Sequence, residues 1–301
     1  MRAVALIVVV AVALSGTGCT TVALGWAGRA FSSTGGTFAS ESDPELVRGA
    51  TPFALKAMEA LLERTPDNVE LLRALAADFT EYAYAFVQSD ADELEAKDFT
   101  GAQQLRARAA KLYARARNYG QRGLEARHPG LLALLATHAD AAVALLSRDD
   151  VPFAYWTGLA WGAQIAVSKT DLALVAQLPQ AAALMSRALA VDEAYDDGAG
   201  HDFFIVYDAR SASMGGNIAH AHQHFNRALE ISHGQRLAPL VAWAEAVCVQ
   251  QQNVVEFKSL LERVLAFDVD SVPEVRLANM LSQRRARRLL AQRSDLFLEA
   301  E

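Results

Sequence analysis

Residues 238–268, APLVAWAEAVCVQQQNVVEFKSLLERVLAFD, read as an apolar helix, a polar elbow and a second helix opening near Phe257. In the second helix Phe257 is followed at +4, +7 and +8 by Leu261, Val264 and Leu265, offsets that share one helix face. The same offsets join Ala54, Met58, Leu61 and Leu62; Ala116, Gly120, Gly123 and Leu124; Ala181, Met185, Ala188 and Leu189; and Ala221, Phe225, Ala228 and Leu229. A helical hairpin buries its face only against another hairpin. The recurrence therefore predicts an all-α, solenoid-like array whose work lies in a concave surface, a cavity or a partner.

Outward from this pattern, the chain begins with Arg2, an apolar run over residues 3–14, and SGTG before Cys19. The run is too short to span a bilayer and is flanked like a secretion signal. The small residues before Cys19 point to a lipoprotein signal over residues 1–18, with Cys19 acylated as the mature N-terminus; an ordinary secretory signal is the other reading. It departs from the usual lipobox in having Gly16 three residues before the cysteine. Residues 19–41, rich in Gly, Ser and Thr, read as a tether, and residues 42–301 as the helical domain. Ser42-Asp43-Pro44-Glu45 and Ser271-Val272-Pro273-Glu274 read as capping boxes.

An apolar content of 52% can build a sizeable core, and a net charge of −7 gives no reason to expect nucleic acid. Cys248, between Val247 and Val249, reads as a core filler with no disulfide partner if Cys19 carries lipid. The acidic run at residues 89–98 lacks the glycine and terminal glutamate of a calcium loop and reads as a solvated turn. The arginines of residues 284–288 read as the charged outer face of a helix that ends the stack.

Tyr82, Tyr84 and Phe86 alternate with alanines on a helix, so either that helix is buried all round or some of the rings face a cavity. With Trp156, Trp161 and Gln164 they are the candidate cavity-lining residues, aromatic surface with a few polar groups. His220 and His224 stand one turn apart, but a third ligand and an adjacent glutamate are missing, so they read as surface histidines and no metal site is expected. No nucleophile, acid–base pair or cofactor motif emerges, which argues against an enzyme.

Residues 54–79 resemble a tetratricopeptide unit, with Pro66 at the elbow and Leu75, Ala76 and Phe79 marking the second helix. Units starting at 54, 116, 181, 221 and 257 depart from the uniform ~34-residue period, so the array is degenerate. DPELVRGATPFALKAMEALLERTPDN, FTEYAYAFVQ, LYARARNYGQRGLE, YWTGLAWGAQIAVSK and RLANMLSQRRARRLL, in that order, resemble the T component of tripartite ATP-independent periplasmic (TRAP) transporters. The resemblance implies a non-enzymatic lipoprotein held in the periplasm at the outer membrane. It also implies a homotrimer with a through-going cavity that docks the periplasmic solute-binding subunit and passes a small, possibly apolar, ligand. A general tetratricopeptide lipoprotein scaffold for envelope assembly is the alternative.

Overall fold

The structure, a computed structural model, describes residues 35–210 and 214–298. The signal, Cys19 and most of the tether lie outside those residues. Among the described residues every regular element is helical and there is no strand. Ten helices carry the fold: α1 (Pro44–Arg64), α2 (Val69–Tyr82), α3 (Phe99–Arg127), α4 (Val151–Val167), α5 (Leu178–Val191), α6 (Gly200–Asp208), α7 (Ile218–Ile231), α8 (Ala238–Trp243), α9 (Val254–Ala266) and α10 (Arg276–Ala291).

Local chemistry sets their ends. Asp43, rather than Ser42, caps α1, accepting from the amides of Glu45 and Leu46. Asn68, Asp98, Asn217 and Asn253 cap α2, α3, α7 and α9 in the same way. The box expected at Ser271 does not form: two 3-10 turns, Val269–Ser271 and Pro273–Val275, precede α10, which starts without a side-chain cap. Gly130, at φ 87°, supplies the left-handed turn after α3. Both α2 and α8 continue as π-helical turns, Ala83–Gln88 and Ala244–Cys248, and the first runs on into the short helix Ser89–Leu94.

The five repeated faces all lie on odd-numbered helices, and the +4 residue of each (Met58, Gly120, Met185, Phe225, Leu261) is buried. At the α3–α4 contact, Gly120 and Gly123 leave room for Thr157 and Phe153; a Cβ at either would overlap those side chains. Each odd helix packs on its even neighbour, while α2 also touches α4, α4 touches α6, α6 touches α8, and α8 touches α10. Arginines of α10 then reach back to the α2 extension. The even-numbered helices thus form a ring backed by the odd ones, and the ends of the array meet.

That closure corrects the reading of the last helix as a solvated cap. Arg284 holds Glu93 at 2.5 and 2.8 Å, and Arg48 holds Asp90 at 2.5 and 3.0 Å, so the acidic run is a clasp rather than a solvated turn. The described end of the expected tether is also folded: Gly35–Ala39 is a short helix against α10, and Arg276 Nη1 donates to the Ser40 carbonyl at 2.7 Å. Two apolar cores result, one spanning Val47 to Phe204 and one spanning Ile205 to Phe297, meeting within α6. Leu277 and Leu281 of α10 pack on the first, tying the C-terminal helix to the N-terminal half.

Candidate functional site

The π-helical turn of α2 separates the three alternating aromatics. Tyr82 and Phe86 are buried in the first core with ring centroids 5.7 Å apart, whereas Tyr84 is 46% exposed and its hydroxyl accepts from Arg285 Nη1 of α10. Trp156 is buried and donates from Nε1 to the Tyr195 hydroxyl at 3.2 Å. Trp161 donates to Gln177 Oε1 at 3.2 Å and lies under the Arg117 guanidinium, 5.0 Å away. Gln164 Oε1 is buried without a partner. These six residues therefore do not converge on one point; Tyr84 alone stands open at the junction of α2 and α10.

Around that junction carboxylates and arginines of several helices gather. Glu81, one turn before Tyr84, is solvent-accessible, yet burial pushes its pKa up to about 8, with like charge from Asp78 and Asp196 adding to the effect. Burial likewise pushes Asp78 up to about 7, opposed by Arg73. A carboxyl on an open outer surface keeps its ordinary pKa. Glu81 thus remains open to water while neighbouring protein and the nearby carboxylates disfavour its charged form.

The other even helices carry polar pairs of their own. From α4, the Tyr155 hydroxyl donates to Asp196 Oδ2 at 2.9 Å. The turn before α6 holds Asp196 and Asp197 at φ 53° and 51°, a conformation aspartate tolerates better than most residues. From α6, Asp202 pairs with Arg236; burial raises the Asp202 pKa and the arginine opposes the rise. From the π-helical turn that follows α8, Glu245 pairs with Arg285 of α10. Burial works against the Arg285 charge, but Glu245, Tyr84 and Asp92 more than offset it, so its pKa is raised. Arg106 holds Glu95 at 2.6 Å and Asp92 at 3.3 Å, completing a band of alternating charge beside Tyr84.

Sequence reasoning missed Glu81, Glu245 and Arg285. For Arg285 the available signal was charge complementarity between residues 89–98 and residues 284–288, runs of opposite sign too far apart in the chain to be read as neighbours; Glu81 and Glu245 lie outside both runs. These groups carry free hydrogen-bonding capacity of both signs, carboxylate acceptors beside guanidinium donors. Cys248, by contrast, is fully buried and burial pushes its thiol up to about 12, so it is a core group with no reactive thiolate.

Two recesses lie elsewhere. One, of about 260 Å³, is built on Glu59, which accepts from Tyr119 and pairs with Arg115 and Lys56. The other, of about 440 Å³, lies between α5, α6 and α7 and brings His201, His220 and His224 together. His220 is exposed as a surface histidine should be, His224 is half-buried, and His201 is buried with its Nδ1 2.8 Å from His224 Nδ1.

The sequence profile of the TRAP transporter T-component family matches residues 40–297. An uncharacterized protein of Treponema pallidum (strain Nichols) is 31% identical over 267 residues, which cover 87% of this chain and 83% of that relative.

Proposed function

Because the chain belongs to the TRAP transporter T-component family, an accessory component of a transporter and not a known catalyst, we propose that its helical ring receives a small solute and exchanges it with the solute-binding subunit. The family points to a periplasmic or membrane-associated location. In this reading acylated Cys19 holds the protein at the outer membrane and copies of the chain assemble as a homotrimer. The observation that supports the reading is the closed circuit of even helices and the polar groups it carries, Tyr155 with Asp196, Asp202 with Arg236, and Arg285 with Tyr84 and Glu245; in this reading these groups wall its interior.

Such a wall can hold a solute through hydrogen bonds while leaving water in place, which favours exchange over tight capture. No energy source is needed for this step. Direction follows from differential affinity between the two proteins and from the high local concentration that docking creates.

The test is sedimentation of the purified protein with the cognate solute-binding subunit, paired with solute uptake in cells. A complex that survives Tyr84→Trp, while uptake falls, supports exchange through the interior. Absence of any complex removes the docking role, and unchanged uptake in Tyr84→Trp removes the interior as the route.

A further inference from the structure

We propose that the recess between α5, α6 and α7 is a binding site for a transition-metal dication of the zinc type. His201 Nδ1 and His224 Nδ1 face each other at 2.8 Å across its wall. Two imidazole nitrogens bound tetrahedrally to one such ion at roughly 2.0–2.1 Å stand about 3.3 Å apart, so an opening of about half an ångström turns the facing pair into two ligands. In the unliganded protein a single shared proton satisfies both nitrogens.

The surroundings are those of a metal-bound histidine. Arg227 grips Glu193 through two contacts, at 2.9 and 2.8 Å, and Glu193 Oε1 lies 3.3 Å from His201 Nε2. That contact is close but not aligned as a hydrogen bond, and Nε2 is otherwise buried without a partner. A small rotation of the His201 ring aligns it with Glu193 and moves Nδ1 away from His224, giving the carboxylate–histidine–metal arrangement that orients a ligand and raises its basicity. Phe204 stacks on the His224 ring with centroids 4.9 Å apart and planes 19° apart, fixing the direction of the second ligand.

Among the described residues no three donors stand preassembled as a coordination sphere. The third ligand comes from the same recess. His220 lies one turn before His224 on the same face of α7, and Asp208 of α6 also lines the space. Two imidazoles with a carboxylate or a third imidazole suit zinc, cobalt or nickel, while calcium and magnesium require oxygen ligands. Occupancy would cross-link α6 to α7 and stiffen the join between the two apolar cores.

The experiment uses tag-free, full-length protein stripped with chelator. Zn²⁺ is followed by calorimetry, Co²⁺ by visible absorption, and the imidazole resonances by NMR. Expected are saturable Zn²⁺ binding, the strong d–d bands of a low-coordinate Co²⁺ site, and Zn²⁺-induced shifts of the His201 and His224 ring signals. His224→Ala lowers affinity by at least about 100-fold and Glu193→Gln by about 10-fold. His222→Ala changes nothing, because that ring faces Asn226 and Trp243. No binding in a large excess of Zn²⁺, full affinity in His224→Ala, or unshifted His201 and His224 resonances in the wild-type protein would each overturn the site.

Discussion

Ala83–Gln88 and Ala244–Cys248 are the two places where an inner helix widens into a π-helical turn, and they differ in what surrounds them. The first leads into a charged extension, with Tyr84 open to solvent and Asp90, Asp92 and Glu93 following it. The second ends its helix inside an apolar shell in which Ala244, Val247 and Cys248 are fully buried and Glu245 provides the polar exit. Yet both deliver one polar side chain, Tyr84 or Glu245, to the same Arg285 guanidinium. A π-helical turn adds a residue to the helical circuit and redirects the side chains it carries, and such turns are frequent at functional positions. The comparison teaches that one half of the ring reaches the interior from a wet, ionic setting and the other from a dry one.

The largest expected effects come from the dry side. Phe257 of α9 is fully buried against the second core and meets Phe297 with ring centroids 4.9 Å apart. Phe257→Ala should destabilise the protein by about 3–5 kcal/mol, because the packed ring is lost and a cavity remains. Urea unfolding monitored by tryptophan fluorescence checks this, and the loss should be insensitive to salt. A smaller cost that varied with ionic strength would contradict an apolar support for the second turn.

Next comes the shared arginine. Arg285→Met severs both π-helical turns at once and leaves Glu245 with only Arg288, 3.8 Å away. The expected cost is about 2 kcal/mol, between the values for exposed and buried pairs. In a double-mutant cycle, Tyr84→Phe and Glu245→Gln should each be non-additive with Arg285→Met. Additivity at Tyr84 alone would mean that the ring closes through Glu245 without the first turn.

How much of this was legible from sequence depends on which layer is considered. The odd helices announced themselves, because a face buried on one side only produces the 3.6-residue offsets, and Met58, Met185 and Leu261 are fully buried as that pattern requires. The even helices did not. They pack against odd helices and against one another, so α4 is buried around most of its circumference, carries apolar residues on every side and shows no clean stripe. Tyr84 was among the candidate lining residues, but Tyr82 and Phe86, drawn from the same alternation, are buried core rings. Ring closure was invisible because Arg284 and Glu93 are partners only in three dimensions. The Ser42 cap slipped by one residue to Asp43, since either side chain can accept from a free helix amide.

A third prediction tests the wet side through pH. The folded pKa of Glu81 is raised from its ordinary 4.5 to about 8, so the native state binds this proton more tightly than the unfolded chain does. Its contribution to stability is fully present below about pH 4.5 and is lost as pH rises toward 8. Asp78, raised from 3.8 to about 7, adds a slope of the same sign over a lower window. Glu81→Gln should flatten the fall in melting temperature between those pH values and stabilise the protein at alkaline pH. The gain should be on the order of 1 kcal/mol, because Glu81 is accessible to solvent and much of the penalty is screened. An unchanged pH profile would mean that Glu81 keeps its full hydration in the folded state.

The smallest effect isolates the one hydroxyl that joins the first π-helical turn to α10. Tyr84→Phe keeps the ring and removes only the acceptor for Arg285 Nη1, which still has Glu245 and nearby water as partners. The loss should be about 0.5–1 kcal/mol, the net value of one hydrogen bond whose remaining partner stays hydrated. The corresponding Glu245→Gln change also removes a charge from Arg285 and Arg288 and should cost more. If urea midpoints rank the two the other way, the wet turn is the stronger join of the ring. The apolar shell around Ala244–Cys248 would then serve to pack α9 rather than to hold the interior closed.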